Sequence, residues 1–275
     1  MSTASTFRTQ YGPRALIIGG TDGLGLAFAR ELAARGLDLV LVARRENLLD
    51  EAARALGGEF KVNVQTHALD MADHDAQREL VLALKDQEIG LLVCNAAVSP
   101  VGPFLDVPLE THDKLVELNC HAAAHFAHVF GNQMRERRRG GIVLVSSMAG
   151  FQGTAQVVHY AASKAYLRVL AEGLWEELKG ADVHVLACVA GQVDTPTFTR
   201  SNPRHPAWMP VPVMKPDQVA KTALAALGKQ PTVIPGFSNL LASVLTQRLL
   251  PRKAIVAFYS ASTRAMYPSD RKARG

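Results

Sequence analysis

Four short apolar runs decide what this chain can fold into: Ala15-Leu16-Ile17-Ile18, Leu37-Asp38-Leu39-Val40-Leu41-Val42-Ala43, Ile89-Gly90-Leu91-Leu92-Val93-Cys94 and Gly141-Ile142-Val143-Leu144-Val145. A strand with one face in water alternates apolar and polar side chains. These runs barely alternate, so they read as strands covered on both faces. A fifth, residues 62–69, closes on Asp70-Met71. Helical periodicity fills the gaps: after the first run, Leu26, Phe28, Ala29, Leu32 and Ala33 recur at helical spacing. With 275 residues, 48% of them hydrophobic, the chain can bury one large core. The expectation is an α/β protein: a single doubly wound parallel sheet with helices on both faces, residues 1–275 forming one domain.

In such sheets a ligand binds beyond the carboxyl ends of the strands. The first run ends in Gly19-Gly20-Thr21-Asp22-Gly23-Leu24-Gly25, a turn in which glycines let the backbone approach a phosphate and helix N-terminal amides attract its charge. The second run begins about 20 residues on, where a dinucleotide-binding unit meets the adenosine ribose. No acidic residue waits there. Ala43 is followed by Arg44-Arg45, and a guanidinium suits a 2′-phosphate, which favours NADP, with NAD possible. The third and fourth strands deliver Asp70, Met71, Asn95 and Ala96 to the same edge, and the fifth ends at Ser146-Ser147.

Residues 111–139 read as one long helix carrying Asn119. His121, His125 and His128 share one of its faces. No nearby carboxylate pattern completes a metal site, so no metal is expected and a helix–helix or subunit interface accounts for them. The run Arg135-Glu136-Arg137-Arg138-Arg139 reads as solvated cations at the helix C-terminus. Tyr160 and Lys164 stand four residues apart on one helical face, 13 residues after Ser147.

Gly19-x-x-x-Gly23-x-Gly25, Asn95-Ala96, Asn119, Ser147 and Tyr160-x-x-x-Lys164, in that order, resemble the short-chain dehydrogenase/reductase family over about residues 12–235. Val189-Ala190-Gly191-Gln192-Val193-Asp194-Thr195 is similar to that family's Pro-Gly-x-x-x-Thr turn, with alanine for proline. Cys94 and Ala97 depart from the usual Asn-Asn-Ala-Gly. Within the family, Val42-Ala43-Arg44-Arg45-x-x-x-Leu49, the loop 99–104 and the segment 234–252 resemble a bacterial subgroup near the 3-oxoacyl-CoA reductase and 17β-hydroxysteroid dehydrogenase branch. The resemblance implies a Rossmann-type NAD(P)-binding domain. Its cofactor would be held by Gly19, Thr21, Asp22, Gly23, Leu24, Arg44, Asp70, Met71, Asn95, Ala96, Tyr160, Lys164, Val193 and Thr195, and its catalytic residues would be Asn119, Ser147, Tyr160 and Lys164. It also implies a homodimer or homotetramer.

The chemistry agrees with that assignment. Ketone reduction requires a proton on oxygen as hydride reaches carbon, and a phenol of pKa about 10 must be made more acidic to serve near neutrality. The Lys164 ammonium would do this for Tyr160 and, by resemblance, hold the nicotinamide ribose. Ser147 would hydrogen-bond the substrate oxygen, with Ser146 the competing choice, and Asn119 would hold a water linking Lys164 to solvent.

Substrate clues are coarser. Residues 196–210, polar and broken by proline, read as part of a lid over about 191–215. Val98, Met148, Phe151 and Trp208 near the pocket suggest an apolar ketone or secondary alcohol. In a C-terminal helical extension over about 237–275, Phe237, Leu240, Leu241, Val244, Leu245 and Leu249 share a face that reads as core or subunit packing, a membrane-surface helix being the alternative. The net charge of +5, without aromatic interleaving, argues against nucleic acid. Cys94, Cys120 and Cys188 read as small core residues in a reducing compartment. With no signal layout and no run near 18 apolar residues, the expected location is the cytoplasm. A catalytically silent NAD(P)-binding regulator, or an epimerase or dehydratase on the same fold, is the competing expectation.

Overall fold

The computed structural model describes residues 3–204 and 212–268. Its strands are β1 (Arg14–Ile18), β2 (Asp38–Ala43), β3 (Val64–Ala68), β4 (Ile89–Cys94), β5 (Gly140–Ser147), β6 (Val183–Ala190), β7 (Gln192–Val193), β8 (Val213–Met214) and β9 (Thr232–Val233). The α-helices are α1 (Thr3–Tyr11), α2 (Gly23–Ala33), α3 (Glu46–Phe60), α4 (His74–Ala83), α5 (Leu109–Val116), α6 (Ala122–Glu136), α7 (Val158–Leu178), α8 (Pro196–Arg200), α9 (Pro216–Ala226), α10 (Phe237–Leu249) and α11 (Arg252–Met266). Seven strands form a parallel sheet in the order β3-β2-β1-β4-β5-β6-β9, while β7 and β8 pair separately.

The apolar runs do alternate, but between two cores rather than between core and water. Ala15, Ile17, Leu39, Leu41, Leu91 and Val93 face one core, closed by Phe28 and Leu32 of α2, Leu49 of α3 and Val219 of α9. Leu16, Ile18, Val40, Val42 and Leu92 face the other, closed by Leu80 of α4, Phe126 and Phe130 of α6 and Leu167 of α7. Phe126 is fully buried, so Phe126→Ala should cost about 3–5 kcal/mol, the lost transfer energy plus a cavity. A urea unfolding curve should show the midpoint falling with the slope unchanged.

Strand order reverses between β1 and β4, which opens the binding crevice of this architecture. Ile18 is in register with Val42 on β2 and Cys94 on β4. The segments that follow these three strands therefore emerge side by side.

Three expectations are corrected. The helix over 111–139 is α5 and α6 joined by a π-turn, Glu117–His121. A π-turn takes one residue more than an α-turn, and such turns often coincide with functional positions. Here it carries Asn119. The basic run is not simply solvated, because Arg137 donates to the Ile89 carbonyl and Arg139 pairs with Glu88 at 2.6 Å, pinning the end of α6 to the start of β4. Lastly, the apolar face of α10 is not core: Phe237 and Leu249 are 80% and 70% exposed. The helix buries Asn239 and Ser243 instead, since the Asn239 amide packs against Gly191, where any larger side chain would collide with it.

Candidate active site

At the glycine turn, Gly19 (φ 86°) and Gly23 (φ 52°) adopt left-handed backbone. A Cβ on Gly25 would stand 1.8 Å from the Gly19 carbonyl oxygen, so helix and turn can meet only without that side chain. The Gly19 amide donates to the Val42 carbonyl at 2.7 Å, and the amides of Asn95 and Ala96 donate to the Ile18 carbonyl at 3.0 and 2.8 Å. The Asn95 side-chain amide donates to the Gly19 carbonyl at 2.9 Å. Asn95 thus ties the glycine turn to the end of β4.

Thr21 and Leu24 are buried. Asp22 precedes α2 without capping it, and the first turn of α2 holds no acidic residue. Its leading amides can therefore meet an anion, and the cradle fits a dinucleotide pyrophosphate. Val193 is buried in β7. Thr195 lies against the turn, since a Cβ on Gly23 would come 2.8 Å from its methyl group. Its hydroxyl accepts from the Phe198 amide at 3.2 Å, capping α8.

The two arginines after β2 separate. Arg45 is bound to Asp22 at 2.5 Å, whereas Arg44 is 59% exposed with its guanidinium 3.9 Å from Asp70. Asp70 also takes Lys114 at 2.8 Å. Burial pushes the Asp70 carboxyl up, but the Lys114 hydrogen bond, the Ala72 amide and the charges of Lys114 and Arg44 outweigh it and hold it below its ordinary value. Met71 is buried, and its carbonyl accepts from the Gln77 amide at 2.9 Å. Lys114 escapes sequence reading because it arrives from a helix 44 residues downstream of Asp70.

At the other end of the crevice, β5 and α7 bring Ser147, Tyr160 and Lys164 together. The Ser147 hydroxyl hydrogen-bonds the Tyr160 phenol and also accepts from the Ala149 amide at 3.2 Å. Ser146 is directed elsewhere, donating to the Lys164 carbonyl at 2.6 Å. That separates the two serines. The Lys164 ammonium lies 5.5 Å from the Tyr160 ring centroid and donates to the Val145 carbonyl at 2.8 Å. Burial lowers its pKa from 10.5 to about 8. The neighbours that act on it are all three thiols of the chain, Cys120, Cys188 and Cys94. Burial in turn lifts Cys94 and Cys188 to about 12, with the Lys164 charge opposing it.

Tyr160 differs from expectation. Burial raises its pKa, the Ser147 hydrogen bond opposes that, and Lys164 is not among the groups that shift it. The phenol is a protonated donor here rather than one already acidified by the ammonium. The Asn119 side chain is engaged on both sides. Its carbonyl oxygen accepts from the Val98 amide at 2.9 Å, and its amide donates to the Val98 carbonyl at 2.9 Å and to the Ser163 hydroxyl at 3.1 Å. Both amide protons are therefore committed, and the side chain braces the loop after β4 against α7.

Val98, Met148 and Phe151 are partly buried against the core under this edge; Trp208 lies outside the described residues. A residue absent from the sequence reading completes the wall. Tyr267, just beyond α11, is close enough to Tyr160 to act on its ionisation, and its hydroxyl lies 3.2 Å from that of Ser201. The Arg204 amide donates to the Met266 carbonyl at 2.9 Å, and the Gln192 amide reaches the Met266 sulfur at 3.5 Å. The end of α11 is therefore fastened to the segment after β6. No periodicity signals this, because contacts across some 70 residues follow from topology.

A family model described as short chain dehydrogenase matches residues 13–206. The chain belongs to that family. This short-chain dehydrogenase is 31% identical over 233 residues to the 7β-hydroxysteroid dehydrogenase of Clostridium sardiniense, covering 85% of this chain and 89% of the relative. A solved 7β-hydroxysteroid dehydrogenase superposes with a TM-score of 0.86 at 26% identity, over 92% of this chain and 98% of that one. The short-chain dehydrogenase from Sphingobium yanoikuyae in complex with NADPH gives a TM-score of 0.74 at 29% identity, over 82% and 87% of the two chains. The protein is thus an oxidoreductase with a Rossmann-type fold. Among the described residues, no helix is long and apolar enough to cross a membrane.

Proposed function

We propose that this short-chain dehydrogenase interconverts a bulky apolar ketone and its secondary alcohol with NADP(H), using Tyr160 as the general acid and base. The observation that carries this is the half-buried Tyr160, its phenol hydrogen-bonded to Ser147 with the Lys164 ammonium beside its ring. The nicotinamide, when bound, supplies or accepts the hydride. In reduction, Tyr160 gives its proton to the substrate oxygen as the carbonyl bond is reduced to a single bond. The phenolate left behind is stabilised by Lys164, which regains influence as soon as opposite charge appears. Ser147 donates to the same substrate oxygen, favouring the charge that grows there. Asn119 acts as a positioning residue through Val98 and Ser163. Tyr267 and Met266 form part of the substrate wall, and the 7β-hydroxysteroid relatives favour a ketone of steroid size.

The preference for NADP rests on Arg44, the less committed of the two arginines. Titrations with NADPH and NADH, followed by turnover on 7β-hydroxysteroids and other apolar alcohols, test the reading. Arg44→Ala should weaken NADPH binding roughly 10–100-fold, as a lost charge-assisted bond to a phosphate would, with little effect on NADH. Tighter binding of NADH than NADPH by the unmodified protein sinks the cofactor assignment. Binding without turnover on any substrate sinks the catalytic one.

A further inference from the structure

We infer that His74, Glu117 and His121 form a binding site for a zinc-type divalent ion, clamping α4 to the π-turn that carries Asn119. One ligand atom from each of the three lies within 4.8 Å of the other two. The His74 Nε2 is 2.6 Å from a Glu117 carboxylate oxygen, and the His121 Nδ1 is 3.7 Å from the same oxygen. The two imidazole rings stand 4.3 Å apart at 32°. Nδ1 of His121 is buried and has no hydrogen-bond partner, an arrangement that leaves a polar nitrogen unused unless something binds it.

Two imidazoles and one carboxylate with a fourth position open to water are a recurrent zinc donor set. Bonds of about 2.0–2.2 Å in a tetrahedral array place neighbouring ligand atoms roughly 3.3 Å apart. The His74–Glu117 and His121–Glu117 separations, 2.6 and 3.7 Å, lie on either side of that spacing. The three side chains are between 35% and 49% exposed, so they have room to adjust around an ion.

The backbone explains the convergence. Glu117 and His121 are the first and last residues of the π-turn, whose wider winding stacks positions i and i+4, and His74 is the first residue of α4. The side chain of Asn119, between the two π-turn ligands, points inward to Val98 and Ser163. The ion would fix the turn from outside while Asn119 braces it from within. The sequence pattern draws attention to His121, His125 and His128. The structure draws the completing groups from elsewhere, a carboxylate one turn earlier and an imidazole from another helix.

The test is calorimetric titration of zinc chloride into tag-free protein stripped with chelator, together with its melting temperature. One equivalent per chain and a higher melting temperature are expected. His74→Ala and His121→Ala should each weaken zinc binding by at least about tenfold, while His128→Ala keeps it. These exposed positions leave the far-UV spectrum as a check that each variant folds. The absence of saturable zinc uptake, wild-type affinity in either ligand variant, or an equal loss in His128→Ala overturns the site.

Discussion

Tyr160→Phe lowers the turnover number for ketone reduction by roughly 10²–10⁴-fold, the usual worth of a positioned general acid, and leaves NADPH affinity nearly unchanged. The substitution removes one oxygen from a half-buried ring and keeps the ring's packing. It releases the Ser147 hydroxyl, which still accepts from the Ala149 amide and so is not left without a partner. The cradle for the pyrophosphate lies across the crevice, on β1, α2 and the β4 end, and none of its hydrogen bonds involves Tyr160. Stopped-flow reduction and NADPH fluorescence titration on the same preparation separate the two effects. A variant that still turns over near the wild-type rate removes Tyr160 from the chemistry. Loss of NADPH binding as large as the loss of turnover would make the hydroxyl a cofactor-positioning group instead.

What sequence could reveal divides along a physical line. The sheet was legible because buried parallel strands write themselves as apolar runs, and strand-end motifs were legible because the ligand crevice lies where those runs stop. Tyr160 and Lys164 were legible because helical spacing is local. The electrostatics were not. Spacing puts an ammonium beside a phenol and suggests a more acidic tyrosine, but burial, a property of the whole fold, raises the phenol and lowers the ammonium. Long-range partners were equally hidden: Lys114 on Asp70, Arg45 on Asp22, His74 on Glu117 and Tyr267 beside Tyr160 all join segments that only topology brings together. The face of α10, expected to pack in the core or between subunits, is exposed in the single chain. Apolar periodicity marks a face that avoids water when a partner is present, and in this chain the helix is seated by Asn239 and Ser243 instead.

The depressed pKa of Lys164 leads to a pH dependence opposite in sign for activity and for stability. Its ammonium loses its proton as pH rises through about 8 rather than 10.5, because burial disfavours the charged form. The Tyr160 phenol, held above its ordinary value, stays protonated across that interval. The kcat/KM for reduction, which reports ionisations of the free enzyme, is therefore expected to be level up to about pH 7 and to fall through about 8 as the ammonium is lost. Lys164→Met should flatten that limb at a much lower rate. Stability runs the other way. Between about 8 and 10.5 the unfolded lysine still binds a proton that the folded one has released, so this group's contribution to unfolding free energy rises with pH over that window. Urea midpoints that hold steady or rise from pH 7 to 9 while kcat/KM falls assign the loss to the ammonium. A parallel fall in both would mean that alkaline unfolding, not Lys164, sets the profile.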